Sequence, residues 1–265
     1  MTIGLSTYAL FWHWQEAADQ PLTWRGLLDK TRDFGCELFQ FCDYPPFDEL
    51  TRSDLRVVAD HAAARGIRLE LGTRGLREAH LRHYLDLATA AGATLVRGMV
   101  QPQDRPRARS LLEAVLPDYE KAGVMIALET YEQIGVAELV ELVSTISSDS
   151  LGICLDPANS VAALEMPAAT VAACAPWVVN LHVKDFAFHR SEGWIGFAYG
   201  GAPMGEGLLD YPALAAAVRP EERGINQIVE HWLAWQGTSE ATCRIEDSWT
   251  QQSLDYLRQM EGTRT

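Results

Sequence analysis

The sequence predicts an α/β chain closed into a (β/α)8 TIM barrel, a single domain over residues 1–265, on three observations. Short apolar runs alternate with amphipathic helical stretches eight times along the chain, as consecutive βα units do when they build a parallel sheet. Glycine precedes several of those runs, at Gly35, Gly66, Gly92 and Gly123, where the left-handed cap that ends a helix costs glycine least. Four of the later runs close on an acidic residue or a histidine in phase with the repeat: Glu129, Asp156, His182 and Glu230. At 265 residues, 48% of them hydrophobic, the chain suffices for such a barrel.

The elements follow in order. Ile3-Gly4-Leu5-Ser6-Thr7-Tyr8 opens a strand over 3–8, followed by a helix near 24–34. Apolar runs at 37–42, 67–72 and 94–100 are each followed by an amphipathic stretch, near 51–65, 78–91 and 107–122. The runs 124–130, 151–156 and 178–184 precede helices near 135–147, 161–174 and 211–218. The last run, 225–231, leads to a helix over 239–260 that should cover the barrel's base or a neighbour. Residues 185–210 break the rhythm, with Gly193, Gly196, Gly200, Gly201, Gly205 and Gly207 among Trp194, Phe197 and Tyr199. A long irregular stretch of this kind reads as a mobile lid over the strand ends, with a packed surface loop as the competing role.

Composition excludes several partners. Twenty-two basic residues stand against 36 acidic ones, a formal net charge of −14, which repels nucleic-acid backbones and anionic membranes. The first residues carry neither a basic segment nor a long apolar one, so no signal peptide is expected, and no run nears the 18 apolar residues of a membrane span. Five cysteines without a CxxC pair read as a reduced, cytoplasmic chain, with Cys154 as core packing. A homo-oligomer is compatible with all of this.

Parallel barrels gather their chemistry at the C-terminal ends of the strands. Glu129, Asp156, His182 and Glu230 therefore converge on one point from the fifth to the eighth strand. Three carboxylates and an imidazole suit one divalent cation, Mn, Mg, Co or Zn. Ion pairs and a satisfied core histidine would explain any one of the four, but not their common register. Lys184 lies two residues after His182, hence on the same inward face, where an ammonium can hold a carboxylate or protonate a developing enolate. A structural pair with Asp185 or Glu206 is its competing role. Arg97 and Arg74 end the fourth and third strand runs and can clamp an anion. Gln40, Asp43 and His13 are further candidates for the walls of a small-carbohydrate site, and Trp12, Trp14, Trp194 and Trp232 offer faces for a sugar.

Leu128-Glu129-Thr130, Cys154-Leu155-Asp156-Pro157-Ala158-Asn159, Leu181-His182-Val183-Lys184-Asp185, Met204-Gly205-Glu206-Gly207 and Val229-Glu230 together resemble the xylose-isomerase-like TIM barrel superfamily, which includes sugar phosphate isomerases and epimerases. The resemblance spans essentially the whole chain and implies that Glu129, Asp156, His182 and Glu230 are metal ligands. The chain departs from the tagatose-3-epimerase type at Asn159, where that type carries a His that holds a sugar oxygen; Asn159 is accordingly a substrate-binding candidate. Ile3-Gly4-Leu5-Ser6-Thr7-Tyr8-Ala9-Leu10-Phe11-Trp12, Phe39-Gln40-Phe41-Cys42-Asp43-Tyr44, the Asp156-Pro157-Ala158-Asn159 turn and Glu230-His231-Trp232 are similar to the 3-oxo-isoapionate decarboxylase branch. That similarity implies a metal-dependent lyase that decarboxylates a small 3-oxo sugar acid through an enediolate. Lys184 would then be the catalytic cation with Arg97 as helper, and Glu129 and Glu230 ligands first and proton shuttles second. The alternative is a ketose isomerase or epimerase with Glu129 and Glu230 as its acid/base pair. Endonuclease IV-type cleavage would need further His ligands and a basic surface, and a non-catalytic sugar-binding barrel would bind without metal.

Overall fold

The computed structural model describes residues 1–191, 193 and 195–262. Eight parallel strands close a barrel: β1 (Ile3–Ser6), β2 (Leu38–Cys42), β3 (Arg68–Gly72), β4 (Leu95–Gly98), β5 (Met125–Glu129), β6 (Leu151–Leu155), β7 (Val178–Val183) and, after an antiparallel hairpin of β8 (Asp185–Arg190) and β9 (Phe197–Ala202), β10 (Asn226–Val229). Around the ring the order is β1-β10-β7-β6-β5-β4-β3-β2. The predicted barrel is therefore present, with each strand ending at most two residues earlier than its apolar run.

Strand alternation divides the core in two. One set of strand side chains, including Leu5, Phe39, Leu71, Ile126, Leu155, Leu181 and Val229, packs in the main apolar cluster with residues of the helices. The other set turns into the barrel, where Leu95, Ala127 and Cys154 form a small apolar cluster beside a larger polar one. Register steps the candidate ligands around the ring: Glu129 pairs with Cys154, two residues before Asp156, Cys154 with Asn180, two before His182, and His182 with Ile228, two before Glu230.

Several elements differ from expectation. The stretch 107–122 divides into helices Ala108–Glu113 and Leu116–Ala122, and 161–174 into Pro157–Ala162 and Pro167–Cys174. Pro117 and Pro167 each sit in a first helical turn, where a ring without an N–H is tolerated although it would break a helix interior. The terminal helix, Ser239–Gly262, takes the second of its two expected positions, packed against neighbouring elements. It runs along the seam between β1 and β10: Glu246 accepts from the backbone of Trp12 and His13 near the mouth, and Arg258 donates to the carbonyls of Phe34 and Gly35 near the base.

The largest correction concerns 185–210. Six residue pairs, from Asp185 with Ala202 to Arg190 with Phe197, make residues 185–190 and 197–202 an antiparallel hairpin rather than an irregular stretch. It is docked on the mouth, since Tyr199 donates to the carbonyl of Ala158 at 2.7 Å and Gly201 N to that of Trp232 at 3.3 Å. A Cβ on Gly201 would stand 2.8 Å from that carbonyl oxygen, so the glycine permits the backbones to touch. Trp194 lies outside the described residues. Among those described, no helix is long and apolar enough to cross a membrane, and all five cysteines are free thiols.

Candidate active site

Each of the four strand-end residues delivers its side chain to one point. Glu129 is the last residue of β5, His182 the fifth of β7, and Asp156 and Glu230 immediately follow β6 and β10. All four are buried, and one donor atom from each lies within 4.8 Å of the others. His182 Nδ1 stands 3.3 Å from Glu129 Oε1 and 3.4 Å from Glu230 Oε2, and makes no hydrogen bond. Asp156 Oδ2 is buried too, with the Lys184 ammonium as its close partner. Three carboxylates and an imidazole nitrogen converging at this spacing are a donor set that fits a divalent cation. Cys42, also close to His182 and Glu230, is a poorer ligand: burial raises its thiol pKa, and Sγ donates to Gln40 Oε1 at 2.8 Å.

Lys184 Nζ lies 2.7 Å from Asp156 Oδ2 and 3.2 Å from Glu230 Oε2, and 4.4 Å from the centre of the Trp232 ring. This disposes of the expected alternative pair with Asp185, whose carboxylate instead accepts the backbone N–H groups of Phe186, Gly205, Gly207 and Leu209. The Met204-Gly205-Glu206-Gly207 segment thus wraps a carboxylate, and a Cβ on Gly207 would stand 2.1 Å from Asp185 Oδ1.

These charges move one another. Burial opposes ionisation of Glu230, but His182 and Lys184 hold its pKa far below the carboxylate range. Glu129 is lowered too, with Arg97 and then His182 outweighing burial. Burial pushes Asp156 up to about 6 despite Lys184. His182 and Lys184 are raised against burial, His182 by Cys154, Glu230 and Glu129, and Lys184 by Asp156 and Glu230.

The opposite wall is built on β1 to β4. Arg97, wholly buried, reaches Glu129 Oε2 at 3.1 Å and Asp43 Oδ2 at 2.9 Å, and donates to the carbonyl of Thr73 at 2.9 Å. Gly72 leaves the room for it, since a Cβ there would lie 3.2 Å from Arg97 Nε. Arg74, half exposed, meets Asp43 Oδ2 at 3.2 Å and donates to the Tyr8 hydroxyl at 2.8 Å. Asp43 has a φ of 48°, a conformation that costs a non-glycine residue about 1–3 kcal/mol. Its bonds to both arginines and from the Tyr8 hydroxyl hold it there.

Between the two walls lies a cavity of about 360 Å³ bordered by Arg74, Arg97, Glu129, Asn159, Lys184 and Glu230, with Tyr8, Tyr199 and Trp232 among its aromatic sides. Asn159 Nδ2 donates to Glu129 Oε1 at 3.0 Å. Two wall candidates lie elsewhere. His13 does not border this cavity; its ring is held by Asp247 at 2.7 Å. Gln40 is buried beneath the ligands, with Oε1 2.8 Å from His182 Nε2. Trp14 is a core residue whose indole donates to the carbonyl of Thr7, and Trp12 donates to that of Leu233. Sequence reasoning did not find Tyr8 or Tyr199 as cavity residues, nor Glu70 and Asn180 inside the barrel. The inward phase of β3 and β7 was the available signal for the last two.

Comparison with known proteins agrees with this fold. The family model described as "Xylose isomerase-like TIM barrel" matches residues 28–260. A protein of Pectobacterium atrosepticum named 3-oxo-isoapionate decarboxylase is 48% identical over 261 residues, 97% of this chain and 95% of its own. D-psicose 3-epimerase of Clostridium cellulolyticum H10, solved with D-tagatose, superimposes with a TM-score of 0.73 at 15% identity, over 97% of this chain and 98% of that one. A Mycobacterium smegmatis xylose isomerase-like barrel in complex with magnesium gives 0.68 at 17% identity, over 95% and 96%. The last two likenesses concern the fold alone.

Proposed function

The chain belongs to the xylose isomerase-like TIM barrel family, and we propose that it is a divalent-metal-dependent lyase that decarboxylates a small 3-oxo sugar acid. The observation that carries this reading is Lys184, an ammonium buried beside the four-residue donor set and bordering the same cavity as Arg97 and Arg74. A neutral ketose gives three cations around a small cavity little to do, whereas a carboxylated substrate engages them. The name of the 48% identical relative supports the same reaction.

Glu129, Asp156, His182 and Glu230 would hold the cation, with Mn or Mg the ions to try first. When bound, it supplies Lewis acidity toward the electron pair that decarboxylation leaves behind. The bond between the carboxyl carbon and its neighbour breaks, and its electrons pass to the adjacent 3-oxo group. Carbon dioxide departs, and the resulting enediolate needs one proton. Lys184 is placed to donate it, while Arg97 and Arg74 orient the substrate and Tyr199 and Trp232 exclude water. An epimerase would instead need Glu129 and Glu230 as proton acceptors. Arg97 and His182 lower the pKa of Glu129, and His182 and Lys184 that of Glu230, which makes both weaker bases.

Lys184→Met tests the reading. It keeps the stem and removes the charge, so the variant should retain its fold and bind Mn2+. It should lose about 10²- to 10³-fold in carbon dioxide release from a 3-oxo sugar acid, the scale of a deleted electrostatic stabiliser. Normal decarboxylation by the variant sinks the proposal. So does wild-type protein that interconverts neutral ketoses and leaves 3-oxo acids intact.

A further inference from the structure

Beneath the candidate ligands the barrel interior holds a connected set of polar groups that the reaction does not touch. His182 Nε2 lies 2.8 Å from Gln40 Oε1, which also accepts from the Cys42 thiol. Gln40 Nε2 donates to Glu70 Oε2 at 2.9 Å and to Asn180 Oδ1 at 3.2 Å. Glu70 accepts twice more, from Asn180 Nδ2 at 3.0 Å and from Asn226 Nδ2 at 2.7 Å. Gln40, Glu70, Asn180 and His182 are all buried.

From this connectivity we infer that Glu70 is a positioning residue: through the Gln40 amide it fixes which nitrogen of His182 faces the cation. The inference rests on the metal site of the proposed function and not on its substrate. Both Glu70 oxygens accept here, Oε2 from Gln40 and Asn180 and Oε1 from Asn226, so Gln40 turns its NH2 group toward Glu70. Its oxygen then faces His182, which must donate from Nε2. That leaves the lone pair of Nδ1 directed at Glu129 and Glu230, where a cation binds. With Gln40 reversed, its NH2 would face Nε2 and the Cys42 thiol, and the neutral ring would carry its proton on Nδ1, in the place of the cation. Burial raises the pKa of Glu70, and the amide groups of Asn226, Gln40 and Asn180 offset that only in part. Hydrogen bonds to the far nitrogen of a metal-binding histidine set its tautomer and ring orientation. Here an amide carries that control from a carboxylate across the barrel.

The test is Mn2+ affinity by titration calorimetry on the full chain, together with 15N spectra of the histidines in Zn2+-loaded protein. Glu70→Met and Gln40→Met should each weaken Mn2+ binding about 10- to 100-fold. The double variant should be little worse than the weaker single one, since both break one chain. Glu70→Gln should stay within about threefold of wild type, because its side-chain carbonyl still accepts from Gln40. The spectra should show the proton of His182 on Nε2 in wild type and a second form in Glu70→Met. If Glu70→Met does not fold, the contrast between Gln40→Met and Glu70→Gln decides. Wild-type affinity with an unchanged His182 signal in a folded Met variant overturns the inference, as do losses that simply add. Wild-type protein that binds no Mn2+ overturns the metal site and this inference with it. Weakened variants of a protein that spares 3-oxo acids would overturn only the substrate.

Discussion

The two walls of the cavity are built by different rules. On the side of β5, β6, β7 and β10, every ligand candidate is the last residue of a strand or lies within one residue of its end, and all point at one spot. On the side of β1 to β4 only Arg97 belongs to a strand; Tyr8, Asp43 and Arg74 lie in the loops beyond and neutralise one another. The first wall carries excess negative charge that needs a cation. The second is already paired and offers its guanidinium groups only when something competes with Asp43. Under the proposed function, the first wall would hold the cofactor and the second the anionic end of the substrate.

Removing the cation should break the first wall alone. Chelation should abolish turnover, and added Mn2+ or Mg2+ should restore it; full activity in rigorously metal-free protein would refute the assignment. Affinity for the cation should also depend on pH in a stated direction. In the metal-free protein His182 is raised well above its usual value and Asp156 stands at about 6, so both hold protons that the cation must displace. Mn2+ affinity should therefore fall as pH falls, by about tenfold per unit near neutrality from His182 and more steeply below about 6, where Asp156 is also protonated. Calorimetry in buffers of different ionisation heat counts the protons released; a pH-independent affinity would contradict the geometry.

The next largest effect belongs to the point where the walls meet. Arg97 is a buried, charged link between them, touching Glu129 on one side and Asp43 on the other. Arg97→Met leaves the buried Glu129 and the partly buried Asp43 short of their partner, a loss of the kind that costs about 3–5 kcal/mol. The melting temperature should drop in the metal-free protein and recover partly with Mn2+, which neutralises Glu129 but not Asp43. Equal losses with and without the cation would mean that Arg97 does not couple the two walls.

How far the sequence revealed each wall follows from the same contrast. Glu129, Asp156, His182 and Glu230 could be read because strand periodicity fixes both the face and the depth of a terminal side chain. Lys184 was found by that argument too, one residue beyond β7. The loop-borne groups carry no such phase: nothing in Phe39-Gln40-Phe41-Cys42-Asp43 announces that Asp43 adopts a left-handed conformation to meet two arginines. His13 looked like a wall residue for its position after β1, yet the terminal helix, remote in sequence, brings Asp247 to it. The hairpin was hidden because glycines needed for close approach, as at Gly201 against Trp232, look in a linear sequence like glycines that loosen a loop. Glu70 and Gln40 escaped as a chain because their partnership spans three strands.

The smallest expected effect tests the second wall by itself. Arg74 is half exposed and shares Asp43 with the buried Arg97, so its own pair is screened by solvent and contributes little to folding. Arg74→Gln should leave the melting temperature and Mn2+ affinity unchanged. Its role, if the second wall binds the substrate's anion, is a contact made equally in the ground and transition states. Losing it should raise KM for a 3-oxo sugar acid by about five- to tenfold and leave kcat within about twofold, the signature of uniform binding removed. A carboxylated, unreactive analogue should weaken as an inhibitor by the same factor, while a neutral ketose of equal size should inhibit the variant and wild type alike. If both inhibitors weaken together, Arg74 shapes the cavity rather than reading charge. If kcat falls while KM holds, Arg74 acts in the transition state, and the division between a cofactor wall and a substrate wall is wrong.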